Sequence, residues 1–290
     1  MARIVAASDA SVGDDADEDL VLVTSSRVLP LSTEVSGSLL CTPEVASDLP
    51  KGRRWIHEQA LWAMASLLGE VEGEQNVLHP AERAASVSSS ANVDPSARIE
   101  QGAVVLGGAT VGRDSVVGPN AVVYGKVVIG ARVRIGPCSV IGRPGFGWTV
   151  GPDGQLLRVP QLGGVVLEDD VEVGALCTVD SGTLGPTRLR SGVRLDAHVH
   201  VGHNVEVGEQ TLVAAQAGFA GSVTVGAGTR IGGQAGIADH VRIGKGVSVA
   251  AKTGVIGDVS DGAVVAGFPA VAKTRWLRAM ATLLRRRTIR

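Results

Sequence analysis

The chain has 290 residues, a formal net charge of −2, 44% apolar side chains, 39 glycines and only 3% aromatics. That length buries a core without the help of disulfides or a metal, and the near-neutral charge excludes a general affinity for nucleic acid or a membrane surface. The shortage of large side chains excludes an ordinary α/β enzyme core. Cys41, Cys138 and Cys177 are far apart in sequence and form no close pair, which fits a reducing compartment better than a zinc or redox motif.

The first residues, MARIVAASDASVGDDADEDL, turn acidic early and contain no apolar h-region, so no secretory signal is expected. No later stretch offers the roughly 18 successive apolar residues of a membrane span, and a soluble, cytoplasmic protein is expected. Residues 1–85 lack periodic glycines. They carry a short strand, LVLVTSS, and helical spacing of apolar residues from Trp55 to Leu68, which predicts a small α/β domain.

From Val93 a period of six takes over, with aliphatic residues at Val93, Ile99, Val105, Val111, Val117, Val123, Ile129, Ile135 and Ile141. Six matches neither a helix nor a simple alternation. It suits short strands joined by tight turns, three of them closing a coil of about 18 residues. Residues 86–267 are therefore predicted to form a parallel β-helix, with coils stacked roughly 4.8 Å apart and branched side chains filling the axis. The residue two before each branched one is usually small. Cys177 occupies that slot and reads as packing, whereas Cys138 falls outside it.

The period is interrupted from about Gly142 to Gly164, where GFGWTVGPDGQLLRVPQLGG carries the aromatic pair Phe146 and Trp148. It resumes at Leu167, Val173 and Val179, slips by four residues near Gly185 to Arg188, and then runs unbroken from Leu189 to Val255. Loops expelled from a rigid scaffold commonly carry binding residues, although a plain solvent loop has the same spacing.

Three histidines crowd LDAHVHVGHNV as His198, His200 and His203, and His240 follows. On stacked coils, His203 and His240 share one edge, two coils apart and one residue out of line, roughly 10 Å from each other. A zinc site like that of the β-helical carbonic anhydrases is one reading. His198 and His200 lie on alternate sides, however, and no carboxylate or cysteine completes a set within one coil, so no metal is expected. A general base fits better, since an amine attacking a thioester must lose a proton near neutral pH. Asp196, one face back, is the candidate to orient it, through a neighbouring chain or a short turn. Gly221, one coil above His203, is the candidate oxyanion donor. Residues 268–290 read as a basic helix with Lys273, Arg275, Arg278, Arg285, Arg286, Arg287 and Arg290, suited both to capping the solenoid and to docking an acidic protein.

In order, PGFGW, RVPQLGGV, VEVGALCTVDSGTLG, LDAHVHVGHNVEVG, AGFAGSVTVG, IGGQAGIADHVRIG and GFPAVAKTRWLR, over about residues 90–280, resemble the UDP-3-O-(acyl)glucosamine N-acyltransferases of lipid A synthesis. The resemblance implies a left-handed parallel β-helix and a homotrimer with active sites between subunits. It also implies transfer of a hydroxyacyl chain from acyl carrier protein to the 2-amine of a nucleotide sugar, with no metal or bound cofactor. His203 matches the family's general base, Gly221 its oxyanion amide, His240 its second groove histidine and Asp196 its aspartate. Phe146, Trp148, His200 and Asn204 are the candidate substrate contacts, and the basic tail would receive the carrier protein. The chain departs from the family at His200, where a glutamine is usual, and at Asp180-Ser181-Gly182, where Asp-Arg-Gly is usual. It also has Leu22, Ser25 and Val28 in place of the aromatic and asparagine segment that holds uracil, which removes the platform for a stacked base. An acyl- or acetyltransferase for another nucleotide amino sugar, a zinc hydratase and a non-catalytic scaffold are the alternatives.

Overall fold

The computed structural model describes residues 3–5, 19–23, 38–49, 54–60, 63, 84–150, 152, 154–267 and 273–285. The chain divides into two compact units between Pro80 and Ala81.

In the first unit, Arg3–Val5, Asp19–Val23, Ser38–Cys41 and Arg54–Ile56 form a parallel sheet in sequential order. Helix α1, Pro43–Ala46, starts on a proline whose fixed φ suits a first helical turn. Val23, Leu39, Cys41, Val45 and Leu49 make a small core. The helical spacing expected from Trp55 is overridden at its start, because Leu40 and Cys41 pair in register with Trp55 and Ile56, drawing that segment into the sheet. Of the positions matched to a uracil site, Leu22 pairs with Leu40, and Ser25 and Val28 lie outside the described residues.

The second unit is a parallel β-helix with three faces. Face I runs from Arg98–Ile99 to Val264–Val265, face II from Ser86–Val87 to Gly254–Val255, and face III from Asn92–Val93 to Arg242–Ile243, with nine, nine and eight strands. Most strands are two residues long, so one side chain points out and the next points in. Val105, Val111, Val117, Val123, Ile129 and their equivalents are buried along the axis. At about 1.5–3 kcal/mol for each such side chain, this column outweighs any surface charge pair. The small slot is buried too: Ala103, Ala109, Ala121 and Cys177 fill it. Where it holds serine, the proton goes to a neighbouring carbonyl, from Ser115 to Gly130 at 2.8 Å and from Ser139 to Gly174 at 2.7 Å, which offsets the cost of burying the hydroxyl.

Each corner turns through a left-handed residue, such as Asn120, Cys138, Asn204 or His240. Cys138 sits outside the small slot for this reason, and it is exposed. These residues donate their N–H groups to the coil one step earlier, from Ser222 to His203 at 2.8 Å and from His240 to Gly221 at 3.0 Å. Corners are thus hydrogen-bonded columns, as the faces are.

Both interruptions leave the solenoid at the same place. Val140 pairs with Thr178 and Val127 with Val165, across the first insertion. Its residues form a short antiparallel hairpin, Trp148–Val150 with Leu156–Arg158. The second lies between Thr178–Ser181 on face II and Thr187–Leu189 on face III. On the next coil, the same II–III corner is made by His203 and Asn204. Beyond it, helix α2 spans Lys273–Arg285, with Lys273, Arg275 and Arg278 exposed; Arg286, Arg287 and Arg290 lie outside the described residues. Among the described residues, no helix is long and apolar enough to cross a membrane.

Candidate active site

The II–III corner stacks, in ascending order, the two insertions, His203, Gly221 and His240. His203 occupies the first turn position and Gly221 the same position one coil on. A Cβ placed on Gly221 would lie 2.6 Å from both Cε1 and Nε2 of the His203 ring. The imidazole therefore rests over a bare Cα that only glycine provides. From the other side, a Cβ on Gly145 of the first insertion would lie 2.7 Å from His203 Cβ. Among the described residues the Gly221 N–H makes no backbone hydrogen bond, and it stands beside the ring as an available donor.

The His203 ring is held on its other edge. Its Nδ1 lies 3.1 Å from Asn204 Oδ1. That oxygen also accepts the Thr183 N–H at 3.1 Å, and Asn204 Nδ2 donates to the Gly185 carbonyl at 3.2 Å. The Thr183 hydroxyl has two acceptors in reach, Asn204 Oδ1 at 2.8 Å and Gln161 Oε1 at 3.1 Å. Thr183 and Gly185 belong to the second insertion and Gln161 to the first, so both converge on the histidine.

Beside this corner, Asp180 is 1% exposed. Arg143 Nη2 donates to its Oδ2 at 3.2 Å, and Arg143 Nε lies 2.9 Å from its Oδ1 without the alignment of a hydrogen bond. A register shift between Ile141 and Arg143 brings the pair into line. His200 Nε2 is 4.0 Å from Asp180 Oδ2, and His200 Nδ1 is 2.6 Å from the Thr178 hydroxyl. Burial pushes the Asp180 carboxyl above the usual carboxylate range, against the pull of Arg143, His200 and His203. Burial likewise lowers His200, with Asp180 opposing it and Arg143 adding to it. Both groups are driven toward their neutral forms.

His198 sits on the preceding I–II corner, a face away from His203, and His200 points outward from face II. Among the described residues, no three histidine, cysteine or carboxylate groups gather as metal ligands. Asp196 is also at the I–II corner. Its Oδ1 accepts the Ala197 N–H at 2.7 Å and its Oδ2 the Ala215 N–H at 3.2 Å, so within the chain it staples a turn and does not orient His203. The buried carboxylate beside His203 is Asp180, which the sequence spacing did not single out. Phe146 and Leu184, one on each insertion, are 81% and 85% exposed, and Trp148 opens the hairpin. Above His200, the outward positions of face II are Gly218, Gly236 and Gly254, where a Cβ would meet nothing within 4 Å. No contact within the chain calls for glycine there.

Residues 108–143 match the family model "Bacterial transferase hexapeptide (six repeats)". Over 147 residues, 49% of this chain, the sequence is 57% identical to the UDP-3-O-acylglucosamine N-acyltransferase of Myxococcus xanthus (strain DK1622), and over 152 residues, 51% of this chain, it is 51% identical to that of Anaeromyxobacter dehalogenans (strain 2CP-C). The matched regions span only 42% and 43% of those relatives. The UDP-N-acetylglucosamine acyltransferase structure from Francisella novicida superposes with a TM-score of 0.59 at 22% identity, over 68% of this chain and 71% of that one. The fold is thus the left-handed parallel β-helix of these proteins, and over about half its length the chain is similar in sequence to UDP-3-O-acylglucosamine N-acyltransferases.

Proposed function

We propose that the protein is a cytoplasmic N-acyltransferase that moves a hydroxyacyl chain from acyl carrier protein to the 2-amine of UDP-3-O-acylglucosamine, as a homotrimer and without a metal or bound cofactor. The observation that carries this proposal is the His203 ring seated over Gly221, with a proton acceptor and an available backbone N–H side by side. His203 takes the proton from the attacking amine as its nitrogen adds to the thioester carbon. The carbonyl oxygen becomes an oxyanion, and the Gly221 N–H is the donor aimed at it. When the intermediate collapses, the C–S bond breaks and the imidazolium returns its proton to the departing thiolate.

His240, on the same corner, is the second histidine of the groove. The exposed Phe146 and Trp148 offer apolar contact to the substrates, and His200 offers a polar one. The bare strip of Gly218, Gly236 and Gly254 leaves room for an aliphatic chain. Asp196, a face away and engaged by its own turn, would reach His203 only across a boundary between protomers. The exposed cations of α2 suit an acidic carrier protein.

The test is direct. The full chain is incubated with UDP-3-O-acylglucosamine and either a hydroxyacyl-acyl carrier protein or acetyl-CoA, and products are followed by mass spectrometry. An N-acylated sugar formed from the carrier thioester is expected; strong preference for acetyl-CoA would overturn the donor assignment.

A further inference from the structure

We propose that Asn204 is a positioning residue that fixes the tautomer of His203, so that Nδ1 carries the proton and Nε2 is left bare over Gly221. The proposal rests on His203 being the base of the reaction above, but the tautomer itself can be observed without any substrate.

The orientation of the carboxamide follows from its partners. The Thr183 N–H can only donate, and it points at Oδ1 from 3.1 Å; the Gly185 carbonyl can only accept, and it faces Nδ2 at 3.2 Å. The atom presented to His203 Nδ1 at 3.1 Å is therefore an acceptor. A neutral imidazole has one N–H, and opposite an acceptor that proton belongs on Nδ1. The lone pair then lies on Nε2, which with Cε1 is 2.6 Å from the position a Gly221 Cβ would take. That is the end of the ring a base must use.

Backbone conformation does not by itself call for asparagine at 204. Its φ is 60°, and asparagine tolerates the left-handed region. Leu176, Arg132 and Gln210 hold the same conformation on other turns. What distinguishes Asn204 is that its side chain is gripped by Thr183 and Gly185 of the second insertion, and Thr183 is met in turn by Gln161 of the first. Interruptions of the repeat on successive coils thus hold a single carboxamide. A neutral amide also orients the ring without adding negative charge to it. A carboxylate in its place would stabilise the imidazolium and keep the base protonated to higher pH. The charged group that acts on the ring is Asp180, which is itself met by Arg143 and His200; His240 lies on the same corner two coils on.

The experiment is long-range 1H–15N correlation spectroscopy on the full chain labelled with 15N-histidine, with kinetics run in parallel. His203 is expected as the Nδ1–H tautomer in the wild type, and Asn204→Ala as a mixture shifted toward Nε2–H. Asn204→Asp should restore Nδ1–H, since a carboxylate oxygen also accepts. In the acyl-transfer assay, Asn204→Ala should lower kcat about 10- to 100-fold with KM within about twofold. Asn204→Asp should recover most of the rate, with the acid limb of its pH profile moved upward. An Nε2–H ring in the wild type overturns the proposal even if every variant misfolds, and so does an unchanged tautomer in a folded Asn204→Ala. Failure of the wild type to acylate the sugar would instead count against the assigned reaction and leave the spectrum to decide the tautomer.

Discussion

The three corners of the β-helix are built alike, with a left-handed residue on nearly every turn, yet they use their polar side chains differently. At the I–II corner, Asp196 is consumed by the Ala197 and Ala215 amides, and Gln234 donates to Gln216 at 2.6 Å. At the III–I corner, Arg132 is paired with Asp170 at 2.7 Å. These contacts tie one coil to the next. At the II–III corner the hydrogen bonds instead run sideways from two insertions into the flank of one imidazole, leaving Nε2 and the Gly221 N–H unspent. A chemical site on a regular scaffold is found where the hydrogen-bonding capacity of a corner is not used up by stacking.

The sharpest way to break this contrast is His203→Ala. A loss of about 10³-fold in kcat/KM is expected, with an unchanged melting temperature, because the ring contributes nothing to the axial core. Activity within about tenfold of the wild type would reduce the corner to scaffold. Gly221→Ala comes next. Its φ is not left-handed, so the backbone accepts alanine, but the new methyl would meet the ring at 2.6 Å and must displace it. A rate loss of about 10²-fold is expected, with Tm moving by less than about 2 °C. A large drop in Tm would mean that the glycine serves the fold and not the histidine.

Much of this architecture is legible in the sequence, because a period of six leaves little choice: the buried column of Val105, Val111 and Val117 and the packing of Cys177 follow from phase alone. The convergence at the site is less legible. Both insertions depart at the phase that His203 occupies one coil later, so counting coils through the interruptions would have stacked them. The Arg143–Asp180 pair leaves no such signal, since a register shift after Ile141 creates it. Asp196 stands one face back from His203, as its spacing implies, and its own carboxylate is engaged by the Ala197 and Ala215 amides. Trp55 shows the limit of periodicity in a short segment, where pairing with Leu40 decides the outcome.

Asp180 sharpens the comparison through stability. Burial raises its folded-state pKa above the unfolded value, so the stability it lends is complete below the unfolded pKa and is lost as pH rises through the folded one. At neutral pH the carboxylate is a net cost. Asp180→Asn should therefore melt about 2–4 °C higher at pH 7.5, with the gap closing as the solution is acidified. Arg143, 40% exposed, can turn to water when its partner is neutral. A variant that melts lower at pH 7.5 would show that the ion pair outweighs the desolvation of the carboxylate.

The smallest effect belongs to a corner whose polar groups are already spent. Arg132 and Asp170 are mutually well oriented, with Nε and Nη2 donating to the two carboxylate oxygens at 2.7 and 2.8 Å, and the pairing lowers the Asp170 carboxyl. Both side chains are nevertheless about half exposed, where water and salt take over most of the attraction. Arg132→Ala should shift Tm by less than about 1 °C in 0.15 M salt and leave acyl transfer unaltered. If it instead destabilised the solenoid as much as a core truncation, inter-coil pairing and not the apolar axis would be holding the stack, and the spare capacity at the II–III corner would have to be read as a structural weakness instead of a site.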